Sequence, residues 1–460
     1  MQDDFLPPWM PALQAQGGPR FLQIADALQA AVANGVLKPG NRLPPQRVLA
    51  AQLGVDLTTI TRAYDEAKRR QLLQGRGARG TYVAAPKVEL SPVLDFSMNT
   101  PPPPEGVDFD DLLKQGLAQV LMRSDSDLLM TYHLGGGSHF DRMVGAQWLA
   151  PMFGGVDAQH VVVCPGAQAA IAALILAQTQ PGDVIVTEPA SYPGLRTAAL
   201  QFGRRVVAVD VDEHGMLPAA LEQACAEHAP KLLYLNPTLQ NPTGITMSAQ
   251  RREAIAQIAQ RCGVHIVEDD PYWLLADQPP PPMAVLAPEH VFYICTLSKC
   301  LTPGLRVAFV LIREPVVRER FLVAMRSFAQ MVAPLNAALA TQWIGDGSAM
   351  RLLEGVRQEA RLRHWMARDI LAGRYQGADG GLHVWLELPR YWNSLQLAHT
   401  ADSEGIAITP AEAFSMGTEV PNAIRISLGN IKDRARLRTG LQRLSQLLAR
   451  RPEAFGAAVV

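Results

Sequence analysis

Two apolar runs, "VEDDPYWLL" at 267–275 and "YICTLSKCLTPGLRVAFVLI" at 293–312, have the shape of buried strands, yet both carry charge. Charge is kept in such a place only where something buried needs it. Glu268, Asp269 and Asp270 sit in the first run, and Lys299 and Arg306 in the second. A lone lysine among acids and an arginine is equipment for an amine that attacks a small, charged, partly buried molecule.

Pyridoxal phosphate would use such a set. It needs a lysine for an imine, an acid to keep its ring nitrogen protonated, donors to its ring oxygen and a phosphate cradle. Lys299, at a strand end inside "TLSK", suits the imine; Asp269, closing "VHIVED", suits the ring nitrogen by charge and hydrogen bond. Taken singly, each has a commonplace alternative: a solvated loop lysine, a helix or turn cap. Tyr192 in "EPASYPG" reads alone as a half-buried core tyrosine. "CPGAQAAIAAL" sets Gly166, Ala167 and Gln168 between a strand and a helix. Backbone N–H groups at such a helix start favour phosphate, although many βα turns look alike.

The elements that must position these residues follow from the pattern. Strand runs start at His160, Asp183, Arg205, Lys231, Val264, Val291 and Val307, with helical stretches such as "AQRREAIAQIAQRC" between several of them. Strands apolar on both faces and alternating with helices predict a mostly parallel sheet covered on both sides. After about Pro334 come long helices, then "GGLHVWLELP", "GIAIT" and "AIRISL", the pattern of a smaller α+β subdomain. A chain of 460 residues exceeds one ordinary domain. The boundaries read as 15–84, a linker over 85–95, a large domain over 96–333 and a small subdomain over 334–450.

The front segment is different. Pro19–Ala84 carries ten Lys/Arg against four Asp/Glu in a chain of net charge −1, a local basic bias that suits a polyanion. "RFLQIADALQAAVANGVL", "QRVLAAQLG" and "LTTITRAYDEAKRRQLL" read as three helices, the last two joined by "GVD" with Asp56 as N-cap. "GRGARGTYVA" reads as a glycine-rich hairpin. The sum is a winged helix-turn-helix. Its third helix would enter the major groove of double-stranded DNA with Thr58, Thr59, Thr61 and Arg62 on the leading turns. Arg76, Arg79 and Gly80 on the wing would lie near phosphate or the minor groove. The plainer alternative for these arginines is a solvated face.

Five cysteines without a CxxC pair read as reduced thiols of a cytoplasmic protein, and the ten histidines form no metal-ligand cluster. "MQDDFLPPWM" lacks the features of a signal peptide. The longest apolar stretch, 161–177, is broken by Pro165, Gly166 and Gln168, so a strand, a turn and a helix explain it better than a membrane span.

"NPTLQNPTG", "EDDPYW" and "TLSKCLTPGLR" resemble, in order and separation, the signature segments of fold-type I aminotransferases. The resemblance implies Asn241 and Tyr272 as donors to the ring oxygen, Arg306 and Thr296 at the phosphate, and Tyr192 stacked on the ring. Arg425 in "NAIRISL" would grip an amino-acid carboxylate bidentately. Ala167 departs from a pattern that usually has a hydroxyl there, so only its amide can serve. The segment 19–84 resembles the GntR-type winged helix, in which Arg47 matches a DNA contact; Leu57 departs from a commonly polar position. The two together are the layout of MocR-type transcriptional regulators. The resemblance implies an α/β chain: a winged helix ahead of a fold-type I PLP-dependent transferase. It also implies a homodimer that senses an amine, an amino acid or pyridoxal phosphate through an internal or external aldimine at Lys299. The alternatives are a genuine aminotransferase with a DNA-binding appendage, and a degenerate fold kept as a dimerisation scaffold.

Overall fold

The computed structural model describes residues 9, 13, 18–70, 72–75, 80–84, 93–133, 135–371 and 375–451. The chain divides into two compact units, Met1–Pro92 and Val93–Val460.

In the first unit, α1 (Arg20–Ala33) buries Ile24, Ala27, Leu28 and Ala31, a spacing of three and four that forms one helical stripe. α2 (Gln46–Leu53) starts after Pro45 and stops at Gly54, whose φ of 60° is the left-handed stop that glycine permits. α3 (Leu57–Arg69) follows, burying Ile60, Ala63, Tyr64 and Ala67. Asp56 stands at its N-cap as expected, but its side chain makes no capping bond. The Tyr64 hydroxyl donates to the Pro44 carbonyl at 2.9 Å and ties α3 to the start of α2. β1 (Leu73–Gly75) and β2 (Thr81–Val83) pair antiparallel as the wing. Its tip, with Arg76 and Arg79, lies outside the described residues.

In the second unit, β3 (Leu94–Asp95) comes first. The seven expected strand runs all form: β4 (Val161–Cys164), β5 (Val184–Thr187), β6 (Arg205–Ala208), β9 (Leu232–Leu235), β10 (His265–Asp269), β11 (Val291–Thr296) and β12 (Ala308–Leu311). A two-residue-arm hairpin, β7 (Val211–Asp212) and β8 (Gly215–Met216), interrupts the run after β6. The sheet order is β4-β12-β11-β10-β9-β5-β6. Every pairing is parallel except those of β12, which runs against both neighbours. Six of these strands are wholly or almost wholly buried, as covered parallel strands must be, and the edge strand β6 is not. The smaller layer is a four-stranded antiparallel sheet, in order β13 (Tyr375–Gln376), β14 (His383–Glu387), β17 (Ala423–Ser427), β16 (Thr409–Pro410).

Two expected boundaries move. Leu94 and Asp95, assigned to the linker, pair with β15 (Ile406–Ala407), because Leu94 and Phe96 belong to the core of the small layer. The small layer also starts later than Pro334: the helix Pro334–Gly345 buries Leu339, Ala340 and Trp343 in the core of the large sheet. The few polar residues of that helix, Asn336, Thr341 and Gln342, are spread round it, so its periodicity gives no face to assign.

Because Ile60 is fully buried in the core of the first unit, Ile60→Ala should cost about 2–4 kcal/mol there. Calorimetry should show one transition falling in temperature while the transition of residues 93–451 stays in place.

Candidate functional site

The carboxyl ends of the sheet strands meet at a cavity of about 440 Å³. Its walls include Ala167, Gln168, Tyr192, Asn241, Asp269, Tyr272, Thr296, Lys299, Arg306 and Arg425. All the residues that the sequence singles out for a cofactor and a carboxylate are therefore neighbours.

Asp269 ends β10 and is 5% exposed. One carboxylate oxygen, Oδ2, accepts the Tyr234 hydroxyl at 2.7 Å, while Oδ1 has no partner. Burial pushes the carboxyl up to about 7, with Asp270 adding to the rise; the Tyr234 bond and Lys299 oppose it. Its flanking acids are managed differently. Glu268 accepts the Met283 and Ala284 amides at 2.8 and 2.9 Å, and Asp270 accepts Thr238 Oγ1 at 2.8 Å. Both lie near the fully buried Arg252, whose Nη1 is 3.7 Å from Glu268 and whose Nη2 donates to Thr238 at 2.9 Å. Asp269 Oδ1 and Asp270 Oδ1 both lack a partner, but of the three acids only Asp269 lines the cavity.

Lys299 Nζ donates to the Asn99 carbonyl at 2.5 Å. Burial, and then Arg425 and Arg306, bring it down to about 8, against the pull of Asp269. An amine so placed is partly neutral near physiological pH, which nucleophilic attack requires.

At the opposite wall, Gly166 (φ 85°) precedes the helix Ala167–Gln178, whose first amides lack intrahelical acceptors. A Cβ on Gly166 would stand 2.8 Å from Arg306 Nη2, so only glycine lets the guanidinium approach this turn. Thr296 Oγ1 donates to Ser298 Oγ at 3.0 Å, completing a set of hydroxyls, amides and one cation suited to an anion. The Gln168 side chain is occupied, with Nε2 donating to the Gly194 carbonyl at 3.0 Å; its main chain remains for the anion.

Arg425 lies in β17, 7% exposed, with its guanidinium carbon 4.7 Å above the Phe414 ring. Its Nη1 donates to Asn241 Oδ1 at 2.8 Å and its Nη2 to the Ser97 carbonyl at 2.5 Å. Burial lowers it to about 10. The Tyr272 hydroxyl accepts Asn99 Nδ2 at 2.9 Å. Tyr234, Asn236, Ser298 and Phe414 line the cavity but escape the sequence reading as site residues. The "YHLGGGSHF" loop contributes His133, Gly136, Gly137, Ser138 and Phe140 to a separate cavity of about 700 Å³.

The arrangement fits pyridoxal phosphate. The unpaired Asp269 Oδ1 suits a cationic ring N–H, the Gly166–Arg306 turn suits its phosphate, and Lys299 lies beside the same space.

On the first unit, Arg47 and Thr58 are exposed and Thr59 is half-buried. Thr61 Oγ1 is committed to Gln46 Oε1 at 2.9 Å, and the Arg62 guanidinium lies 4.3 Å from the Phe21 ring centre while its residue stays exposed. Thr61 thereby ties α3 to α2. Gly80 has φ of 104°, and a Cβ there would meet Arg42 Nε at 3.3 Å, bringing an unforeseen arginine beside the wing.

Residues 147–444 match the family of class I and II aminotransferases, and residues 21–83 match the bacterial regulatory proteins of the gntR family. The chain is 30% identical over 455 residues to an uncharacterized HTH-type transcriptional regulator, YdeF, of Bacillus subtilis, covering 96% of each chain. The chain belongs to the class I and II aminotransferases in their gntR-fused, MocR-type form. Among other MocR-like relatives is the HTH-type pyridoxine biosynthesis regulator PdxR of Corynebacterium glutamicum, 25% identical over 89% of this chain and 91% of that one. A 2-aminoadipate transaminase of Thermus thermophilus is 30% identical over 72% of this chain and 84% of its own length. The MocR-type fold also matches a solved structure of LysN from Thermus thermophilus, complexed with N-(5'-phosphopyridoxyl)-L-leucine. That match has a TM-score of 0.71 and 26% identity, covering 84% of this chain and 98% of that chain. Kynurenine aminotransferase of Pyrococcus horikoshii shares the fold at a TM-score of 0.72 and 23% identity, covering 80% of this chain and 93% of that chain.

Asp269 is protonated later in the unfolded chain than in the fold: its folded value, about 7, lies above its ordinary 3.8. The buried carboxyl thus lowers the stability of the cofactor-free protein as pH rises from about 4 to 7. Asp269→Asn should raise that stability near pH 8 by about 1–3 kcal/mol, with the gain shrinking as pH falls towards 4. Urea titrations at both ends of that window check it.

Proposed function

We propose that the chain is a DNA-binding transcriptional regulator whose second unit holds pyridoxal phosphate and responds to a small amino compound, an amino acid, an amine or the cofactor itself. One observation carries this most: a complete charged cavity, with Asp269 Oδ1 idle beside Lys299, in the same chain as a winged helix with exposed Arg47, Thr58 and Arg62. When bound, the cofactor supplies an electrophilic carbonyl carbon conjugated to an electron-withdrawing ring.

The protein's own residues do the rest. Asp269 holds the ring nitrogen and keeps its proton. Asn241 and Tyr272 would donate to the ring oxygen, and Tyr192 would pack against the ring. Arg306, Thr296, Ser298 and the amides of Ala167 and Gln168 take the phosphate. Lys299 supplies the amine and, near pH 8, takes up or gives a proton. Arg425 leaves Asn241 and Ser97 to clamp a carboxylate with two parallel bonds. Because Arg425 belongs to the small layer and Lys299 to the large sheet, a ligand that engages both biases how the two layers close. On DNA, Thr58, Thr59 and Arg62 on α3 and Arg47 on α2 meet the groove and its phosphates, with Arg76, Arg79 and Gly80 on the wing.

The MocR-type chain works as a homodimer. Leu121, Met122, Leu128, Met130, Tyr132 and Phe140 are all exposed, and a second copy would cover such an apolar surface. Free cysteines suit the cytoplasm, and among the described residues no helix is long and apolar enough to cross a membrane. Turnover as an aminotransferase is the second reading, favoured by the likeness to 2-aminoadipate transaminase.

Duplexes selected from a random pool, titrated by fluorescence anisotropy, test the first reading. Pyridoxal phosphate, alone or with an amino-acid panel, should change the affinity at least about tenfold, a coupling of roughly 1.4 kcal/mol. Lys299→Ala should still bind DNA and lose the change. Affinity indifferent to the cofactor, together with multiple turnovers at rates of about 1 per second or more, would replace the regulator with the enzyme.

A further inference from the structure

We propose that His383 and Asn99 are positioning residues, a relay that fixes the direction of the Tyr272 hydroxyl so that its proton is kept for the cavity. The relay presupposes that the cavity holds pyridoxal phosphate.

The three residues come from distant parts of the chain: Asn99 follows β3, Tyr272 follows β10, and His383 opens β14. His383 Nε2 lies 3.1 Å from the Gln240 carbonyl oxygen. A carbonyl only accepts, so Nε2 carries the hydrogen and, in a neutral ring, Nδ1 carries the lone pair. Asn99 Nδ2 stands 3.2 Å from that lone pair, so the asparagine must turn its amino group there, not its oxygen. The second hydrogen of the same amino group goes to the Tyr272 oxygen at 2.9 Å. Tyr272 thus accepts on this side, and its own proton must go elsewhere. The residue lines the cavity, where the ring oxygen of the cofactor would receive it.

Each member is held in the required state. His383 is almost fully buried, and burial, helped by Arg425, Lys299 and His364, lowers it to about 3 against the pull of the Gln240 carbonyl. It stays neutral, and its tautomer stays fixed. Burial, with Asp269 and Tyr192, raises the Tyr272 phenol, opposed by Arg425 and Asn99, so the proton stays on oxygen. Asn99 serves a second group through its main chain, whose carbonyl accepts Lys299 Nζ at 2.5 Å. Were Asn99 turned over, its oxygen would face the His383 lone pair and draw the tyrosine proton away from the cavity.

The measurement is the pH midpoint of the visible absorbance of pyridoxal phosphate bound to the full chain. A ring oxygen that loses a donor holds its proton more tightly, so the midpoint rises. Tyr272→Phe and His383→Leu, which frees Asn99 to turn, should each raise it by about one pH unit, the size of one hydrogen bond to a charged oxygen. The double variant should rise no further, because both remove the same bond. His383→Gln, with a donor and an acceptor at similar spacing, should restore the wild-type midpoint. A bound cofactor whose midpoint ignores His383→Leu overturns the relay. If the wild type takes up no cofactor, it is the proposed function that fails. The relay is then decided in the cofactor-free chain labelled with 15N-histidine: His383 must show a protonated Nε2 and a bare Nδ1 near pH 7, and the opposite tautomer overturns it.

Discussion

A carboxylate oxygen buried without a partner costs roughly 1–3 kcal/mol or more, and Asp269 carries one at the end of a central strand. The surrounding structure bears on that atom. Tyr234 and Asn236 brace the residue through its other oxygen and its main-chain carbonyl, at 2.7 and 2.5 Å. Arg252 sits among the neighbouring acids, not beside Asp269, and among the described residues no cation forms an ion pair with Asp269. Lys299 is close enough to lower it and to be raised by it, without forming an ion pair. The arrangement leaves one Asp269 oxygen open to the cavity.

The sheet explains how one strand can present such an atom. Parallel strands deliver their carboxyl ends to a common edge, and β9, β10 and β11 there supply Asn236, Asp269 and the approach to Lys299. Arg425, Ser97 and Asn99 arrive from the smaller layer and its neighbouring segment, closing the cavity from another side. The cavity therefore depends on two cores at once. The winged helix depends on neither, with its own core of Ile24, Leu28, Leu49, Ile60 and Tyr64.

Much of this was legible in the residues. The seven large-sheet strands stand out as apolar runs, and the charges stand out beside them: Asp269 at the end of one, Lys299 and Arg306 between two, and Arg425 in a strand of the small layer. Lysine usage sharpens the point: the chain has seven lysines among its 42 basic residues, so one between two buried strands is conspicuous. What remained hidden depends on partners far away in sequence. Asn99 is 173 residues from Tyr272 and 284 from His383, and no local pattern reports such a meeting. The bond from Thr61 Oγ1 to Gln46, 15 residues back, was equally hidden. The start of the small layer was misplaced because the helix Pro334–Gly345 has no polar face to show which core it serves.

The central claim is that Lys299 and Asp269 face one cavity shaped for one cofactor. Its most direct test is to add pyridoxal phosphate to the purified chain, trap any linkage with borohydride, and map the modified peptide by mass spectrometry. The account predicts a single stoichiometric label on Lys299, lost in competition with an amine that discharges the cofactor. A label scattered over surface lysines, or none at all, would contradict it.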